Sequence, residues 1–497
     1  MGYSPSQRQG TILYQSEIEI STIGPGNRPV HPLLSSLLLI LLLAACSIPA
    51  PLVERIKASG ELRVVTRNSG TTLYEGPEGL TGFEYDLVTL FAEDLGVKPH
   101  FIIPKRFDDL LPTVISGEAQ LAAAGLTVTP DRESEIRFGP PYQEITQQVI
   151  YRQGSTRPRK VEDLYEGKLV VLAGSSHEEE LIRLKESHPE LTWESRADLE
   201  SAELMQMVLD REIDYTIADS NEFAVTRRFM PNLGVAFDLT DPQPLAWAMA
   251  HAEDGSLYHA MVDFFNRITE DGTLDELIER YYGHIGRLNF VELKTFIKHY
   301  EKRLPKYQDY FKEAATESGI DWLTLAAIGY QESHWNPRAK SPTGVRGIMM
   351  LTLTTAKQVG IESRLDPSQS IMGGAKYLRY IEDRLPERIQ EPDRLWLTLA
   401  GYNVGFGHLE DARVLTEHLG DNPDKWVDVK KHLPKLSLKK WYSGLKHGYA
   451  RGNEPVNYVD NIRAYLELLR WQERKRQEAN NNDDDKPHVL SIIPEAL

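Results

Sequence analysis

The stretch "YQESHWNPRAKSPTGVRG", residues 330–347, holds one carboxyl group, Glu332, among two aromatic residues, two prolines and two glycines. A carboxyl pressed against apolar neighbours loses hydration, and its pKa rises. A carboxyl still protonated near neutral pH can give its proton to a leaving oxygen. Enzymes that cut glycosidic bonds this way ordinarily use two carboxylates. This stretch offers one, so the second function must come from elsewhere in the chain or from the substrate.

The elements around it must hold Glu332 in a wall rather than in solvent. Asp321, following Gly319, is an N-cap type of residue and predicts a helix start. Leu325, Ile328 and Glu332 then fall on one face, at i, i+3 and i+7. Pro337 is expected to stop the helix, because the residue before proline avoids α geometry. Gly344 and Gly347 would let backbone approach a ligand closely, and Ser341 could hydrogen-bond the acid or a sugar. Met349 and Met350 read as core or cleft lining.

Strand signals cease at about Asn289. "VELKTFIKHYEKRLPKYQDYFKEAATESGI", "MGGAKYLRYIEDRL" and "RLWLTLAGYNVG" read as successive helices, giving an all-α unit over 289–475 that is long enough for its own core. Before it, "ELRVVTR" and "KLVVLAG" are β-branched runs of strand length, whereas "YDLVTLFAEDLG" and "LESAELMQMVLD" have helical spacing. The alternation predicts an α/β unit over 47–288 with largely parallel sheets. Ligands of such units bind beyond strand C-termini.

Charge separates the same two regions. Residues 47–290 carry 23 Lys and Arg against 42 Asp and Glu, and residues 291–475 carry 29 against 24. No dense basic stripe appears, which excludes a nucleic-acid role. The 14 histidines form no metal-binding spacing, so neither metal nor cofactor is implied. Residues 476–497, with "EANNNDDDKPHVL", read as a disordered tail.

The leader has its own pattern. "LLSSLLLILLLAAC" is an apolar run too short to span a bilayer, which takes about 20 residues, and it has the length of a signal-peptide core. It ends in small residues and Cys46, the only cysteine of the chain. That resembles a bacterial lipobox, so residues 1–46 are expected to be a signal peptide with Cys46 lipidated. Ser47 after it implies the periplasmic face of the outer membrane. A chain without a free thiol must rely on packing for stability.

Two family resemblances follow from ordered motifs. "GFEYDLVTLFAEDLG", "FDDLLPTVISGEAQLAAAGLTVTPDR", "AGSSHEE" and "IDYTIADS" resemble family 3 periplasmic solute-binding proteins over roughly residues 60–285. The resemblance implies two α/β lobes hinged around an amino-acid-sized ligand. Phe107 would then stack on the ligand, and Gly125 and Thr127 would supply backbone and hydroxyl contacts. Arg132 would clamp a carboxylate, with Ser176 and Asp219 coming from the second lobe and Asp219 facing an ammonium. Arginine for carboxylate and aspartate for ammonium is the chemistry a zwitterion requires.

The pattern from Glu332 through Ser333, Trp335, Pro337, Ala339, Ser341, Pro342 and Gly344 is similar to that of the family 1 lytic transglycosylases, whose lysozyme-like domain cuts peptidoglycan glycan strands. "LAGYNVG" and "EPVNYVDNI" match later motifs of that family. The resemblance implies Glu332 as catalytic residue, with Ser341, Met350, Tyr402, Asn403 and Tyr458 binding substrate. Met350 stands where most of the family has glutamine, and "GIMMLT" fits a branch that carries a solute-binding domain in front. The expected architecture is therefore a two-lobed α/β periplasmic-binding-protein-like domain followed by an all-α lysozyme-like domain. Its expected partners are glycan strands and an amino acid or muropeptide. Two rivals share the composition, a receptor that only grips peptidoglycan and a hydrolytic muramidase. The intact Glu332 motif argues against the first.

Overall fold

A computed structural model describes residues 50–481, apart from 77–78, 228, 285–289 and 342–343. Cys46 and the apolar leader lie outside the described residues.

The acidic region folds around two sheets. The first is five-stranded, in the order Lys98–Ile102, Glu61–Val65, Leu121–Ala122, Gln243–Ala250 and Ile136–Ile145. Its first three strands are parallel, with Val64 opposite Leu121, and Gln243–Ala250 runs antiparallel to both of its neighbours, Leu121–Ala122 and Ile136–Ile145. The second sheet sets Gln147–Arg152 between Tyr215–Asp219 and Leu233–Asp238, all antiparallel, beside the parallel pair Val170–Leu172 and Glu194–Arg196. The expectation of largely parallel sheets is thus corrected to mixed ones. The chain crosses between lobes at Ile145–Gln147 and returns before Gln243. Each crossing places a long strand against the direction of its neighbours.

Each lobe has its own core. Phe91, Trp247, Phe264 and Phe265 pack edge-on and stacked in the first lobe. Val149, Val171, Leu181 and Ile217 fill part of the second.

From Phe290 onward, only helices and turns with isolated bridges are found among the described residues. The helix Trp322–Ser333 is the hub, with Leu325, Ala326, Ala327, Ile328 and Tyr330 buried in one core with Trp335, Leu397 and Leu469. Asp321 caps it as expected, accepting from the amides of Leu323 and Thr324. The helix ends earlier than Pro337 would require. His334 and Trp335 adopt φ of 52° and 54°, and Trp335 turns inward to donate its indole N–H to the Ala326 carbonyl. Burying an indole with its donor satisfied outweighs the cost of left-handed backbone. The long closing helix Asn453–Asn481 packs along this hub. Residues 476–481, expected to be disordered, are its last turns. Residues 482–497 lie outside the described residues.

The loop after the hub is pinned by Gly347 rather than opened by it. Gly347 has φ of +89°, and an added Cβ would sit 1.9 Å from the Arg364 carbonyl oxygen. Its close approach is to the protein's own backbone. Gly344, at φ +85°, has open space around it. Replacing Gly347 with Ala should therefore cost about 2–4 kcal/mol of unfolding free energy in a denaturant titration. Gly344→Ala should cost only the conformational term, about 1 kcal/mol.

Candidate active site and ligand cleft

Glu332 occupies the last turn of its helix, half-buried, its carboxyl Oε1 accepting from the Tyr458 hydroxyl at 2.6 Å. Burial pushes the carboxyl up to about 7, against the opposing pull of the Tyr458 hydrogen bond. Those two causes account for the shift, and no charged neighbour contributes among the described residues. The helix end adds carbonyl dipoles that also disfavour an anion there. A carboxyl raised this far keeps its proton nearer to neutral pH than an ordinary glutamate, which is the state a general acid needs.

Tyrosines build the wall. The Tyr402 ring stacks on Tyr458 with centroids 6.4 Å apart and planes 13° apart, and its hydroxyl donates to the Met349 carbonyl at 3.0 Å. Both phenols are pushed up by burial and by the nearby Glu332, so both stay neutral donors. Met349 is buried in the core. Met350 is partly exposed and strained, at φ +46°. Of the four non-glycine residues with positive φ among the described residues, His334, Trp335 and Met350 flank this site. Strain of that kind gathers where surrounding structure over-determines the backbone.

Other expected residues take different places. The Ser341 hydroxyl accepts from the Val345 amide at 3.2 Å and closes the loop. Asn403 is exposed on the helix Asp393–Val404, beside Tyr402, with no hydrogen bond to Glu332 or Tyr458. Ser333, a member of the motif given no role by sequence, ties the helix end to the loop by donating to the carbonyls of Gly329 and Ile348. Its place directly after the acid was the available signal.

In the α/β region the expected ligand residues converge on the interlobe cleft, and each has a partner from the protein itself. Arg132 Nε donates to Glu179 Oε1 at 2.7 Å, and its Nη2 to the Gly174 carbonyl at 3.1 Å, both across the cleft. The Ser176 hydroxyl donates to Thr127 Oγ1 at 3.3 Å, again across it. Asp219 pairs with His177 Nε2 at 2.9 Å. The Gly125 amide donates to Glu84, a buried carboxylate that also accepts from Tyr142 and Trp247. Phe107 donates its amide to the Ala197 carbonyl and lies beneath the Arg67 guanidinium, 5.2 Å away.

Arg67 is the residue that sequence reading missed. It is buried, reaching Glu222 at 2.7 Å and Glu200 at 3.2 Å in the other lobe. Its position just beyond the strand Glu61–Val65 was the signal, since ligands of such sheets bind past strand C-termini.

The two regions meet over a charged interface. Glu279, on the helix Thr273–Tyr282, binds Lys430 at 2.9 Å and Arg463 at 2.8 Å. Lys430 also reaches Asp460 at 3.1 Å, and His284 reaches Glu467 at 2.7 Å. Asp460, Arg463 and Glu467 share the long helix with Tyr458.

Known proteins divide the chain in the same way. Residues 62–284 match bacterial extracellular solute-binding proteins, family 3, and residues 309–424 match the transglycosylase SLT domain. A relative from Saccharophagus degradans, a membrane-bound lytic murein transglycosylase F, is 48% identical over 447 residues, covering 90% of this chain and 89% of its own. One of the same name from Ectopseudomonas mendocina is 50% identical over 462 residues, covering 92% and 94%. Among solved structures, a mutant of ArgBP from T. maritima aligns with 46% of this chain and 99% of its own, at 21% identity and a TM-score of 0.43.

The Tyr458 hydrogen bond opposes the upward shift of Glu332, so removing it should raise the acid further. The lytic rate should fall as pH rises through about 7, where the acid form is lost. Tyr458→Phe should move that alkaline limb to higher pH while lowering the maximal rate. A pH–rate profile on purified sacculi measures both.

Proposed function

Because the chain belongs to the membrane-bound lytic murein transglycosylase F family, a solute-binding domain joined to a transglycosylase domain, we propose that it ends each cut in a 1,6-anhydromuramyl product. The chain is a lytic murein transglycosylase. The observation that carries the finer reading is a single carboxyl, raised to about 7 in the wall beside Tyr458, with no charged partner among the described residues. Glu332 donates its proton to the oxygen linking N-acetylmuramic acid to N-acetylglucosamine, and the C1–O bond breaks. The acetamido oxygen of the same muramic residue closes on C1 as an oxazolinium, in the manner of substrate-assisted glycosidases. Glu332, now a carboxylate, takes the proton of the 6-hydroxyl. O6 then bonds to C1 and displaces the acetamido oxygen, so no water is consumed.

Tyr458 holds the acid in line during both transfers, and Tyr402 backs Tyr458. Asn403, Ser341 and Met350 line the approach of the sugar. Alignment of this kind contributes roughly 7–11 kcal/mol at its best.

The acidic region is proposed to regulate the cut on binding an amino acid or muropeptide. Arg132 would exchange Glu179 for the ligand carboxylate, and Asp219 would exchange His177 for its ammonium. Support comes from the interface, where Glu279 holds the long helix that carries Tyr458. A ligand shifts such a balance only by its differential affinity for the two states. Cys46 is proposed as the lipid attachment point at the outer membrane. No described helix is long and apolar enough to cross a membrane.

Mass spectrometry of sacculus digests is expected to show anhydromuramyl ends, and reducing muramic ends would identify a hydrolase instead. Glu332→Gln should lower the rate by a factor of about 10²–10⁴ or more. Soluble muropeptides added to saturation should change the lytic rate of the full chain. An unchanged rate would leave the acidic region as a tether only.

A further inference from the structure

The helix Pro367–Glu382 presents two stripes. Ile371, Ala375, Leu378 and Ile381 are buried in the helical core. Tyr377 and Tyr380, one turn apart, form the other stripe, and Arg384 continues it just past the helix end. Core packing requires the first stripe and does not require the second.

The second stripe is continuous with the catalytic wall. The Tyr402 ring, already stacked on Tyr458, lies 5.4 Å from Tyr377, and Tyr377 stacks on Tyr380 at 6.1 Å with planes 15° apart. Tyr380 is 39% exposed. At the far end the Arg384 guanidinium sits 4.3 Å over Phe406 and 5.2 Å from Tyr380, and it donates to the Tyr380 hydroxyl. No carboxylate pairs with Arg384 among the described residues. An exposed cation lying near two rings, with no paired carboxylate among the described residues, is preorganised for one.

We propose that Tyr377, Tyr380 and Arg384 form a glycan subsite extending from the catalytic acid. The sugar rings of the strand beyond the cut bond stack there, and the guanidinium receives a carboxylate carried by muramic acid. The apolar faces of pyranose rings suit flat, partly exposed phenols. The carboxylate has two sources, the lactyl group when the stem peptide is absent and the stem peptide when it is present. The inference rests on the strand being cut at Glu332. It adds a specificity-determining surface, not a catalytic residue.

The test uses the full chain on two substrates, glycan strands bearing stem peptides and strands stripped of them by an amidase. Tyr380→Ala should raise KM about tenfold, a loss of about 1.4 kcal/mol of binding. kcat should hold within about twofold, and the alkaline limb should stay in place. Tyr380→Trp, which keeps a stacking face, should restore KM. Arg384→Met, which keeps contact with Phe406, should also raise KM. A rise on both substrates assigns the lactyl carboxylate as well, and a rise only on peptide-bearing strands assigns the stem. An unchanged KM in Tyr380→Ala overturns the proposal. So does a fall in kcat with a displaced pH limb, which would mean the tyrosines only brace the acid. A wild-type chain leaving both substrates uncut would fail the underlying reading instead.

Discussion

The hydrogen bond from Tyr458 to Glu332 joins the two helices on which the catalytic half is built. One is the hub Trp322–Ser333, whose burial forces its last carboxyl into a place with little water. The other is the long closing helix, which brings a neutral phenol to that carboxyl and a row of charges to the acidic half. Burial raises the acid, and the phenol restrains it. A stronger donor or a nearby cation would hold Glu332 as an anion and remove its proton from use. Deeper burial without Tyr458 would give an acid too weak to release its proton readily. A carboxyl pushed up to about 7 suits the proposed use of one group as acid and then base.

This balance explains why the site is made of tyrosines rather than charges. Tyr402 and Tyr458 lie beside Glu332 with their own ionisation pushed out of reach by burial. Neutral, they add no net charge beside the acid, and Tyr458 tempers it only through its hydrogen bond. The left-handed backbone at His334 and Trp335 belongs to the same arrangement. It ends the helix directly after the acid and turns Trp335 into the core, so the loop can fold back and be tied by Ser333. The strain is offset by packing the tryptophan supplies.

Much of this was legible in the residues. The helix start at Asp321 and the apolar face leading to Glu332 are local features that lie where spacing put them, and the two later tyrosine motifs, given by family resemblance, fall beside the acid. The helix stop was misplaced because proline is a local signal, whereas Trp335 decides the matter through a long-range core contact. The six turn-end residues after Lys475 looked solvated by composition, yet they continue a helix already anchored by its buried face. The cleft partners were hidden for the same reason. Arg132 with Glu179, and Arg67 with Glu200 and Glu222, join segments far apart in sequence. Motif order names the cleft residues without saying what occupies them.

Those cleft pairs bear on how the acidic half could speak to the catalytic half. A buried arginine left without an anion is costly, and Arg132 and Arg67 each find carboxylates from the other lobe. The proposed zwitterion would have to displace these contacts, which sets its free energy of binding against an internal competitor of the same chemistry. Glu279 stands at the other end of the argument. It belongs to the acidic half, yet it holds Lys430 and Arg463, and Lys430 in turn holds Asp460, two residues from Tyr458. Glu279 thus gives the proposed regulation a physical route from the lobe to the helix that carries Tyr458.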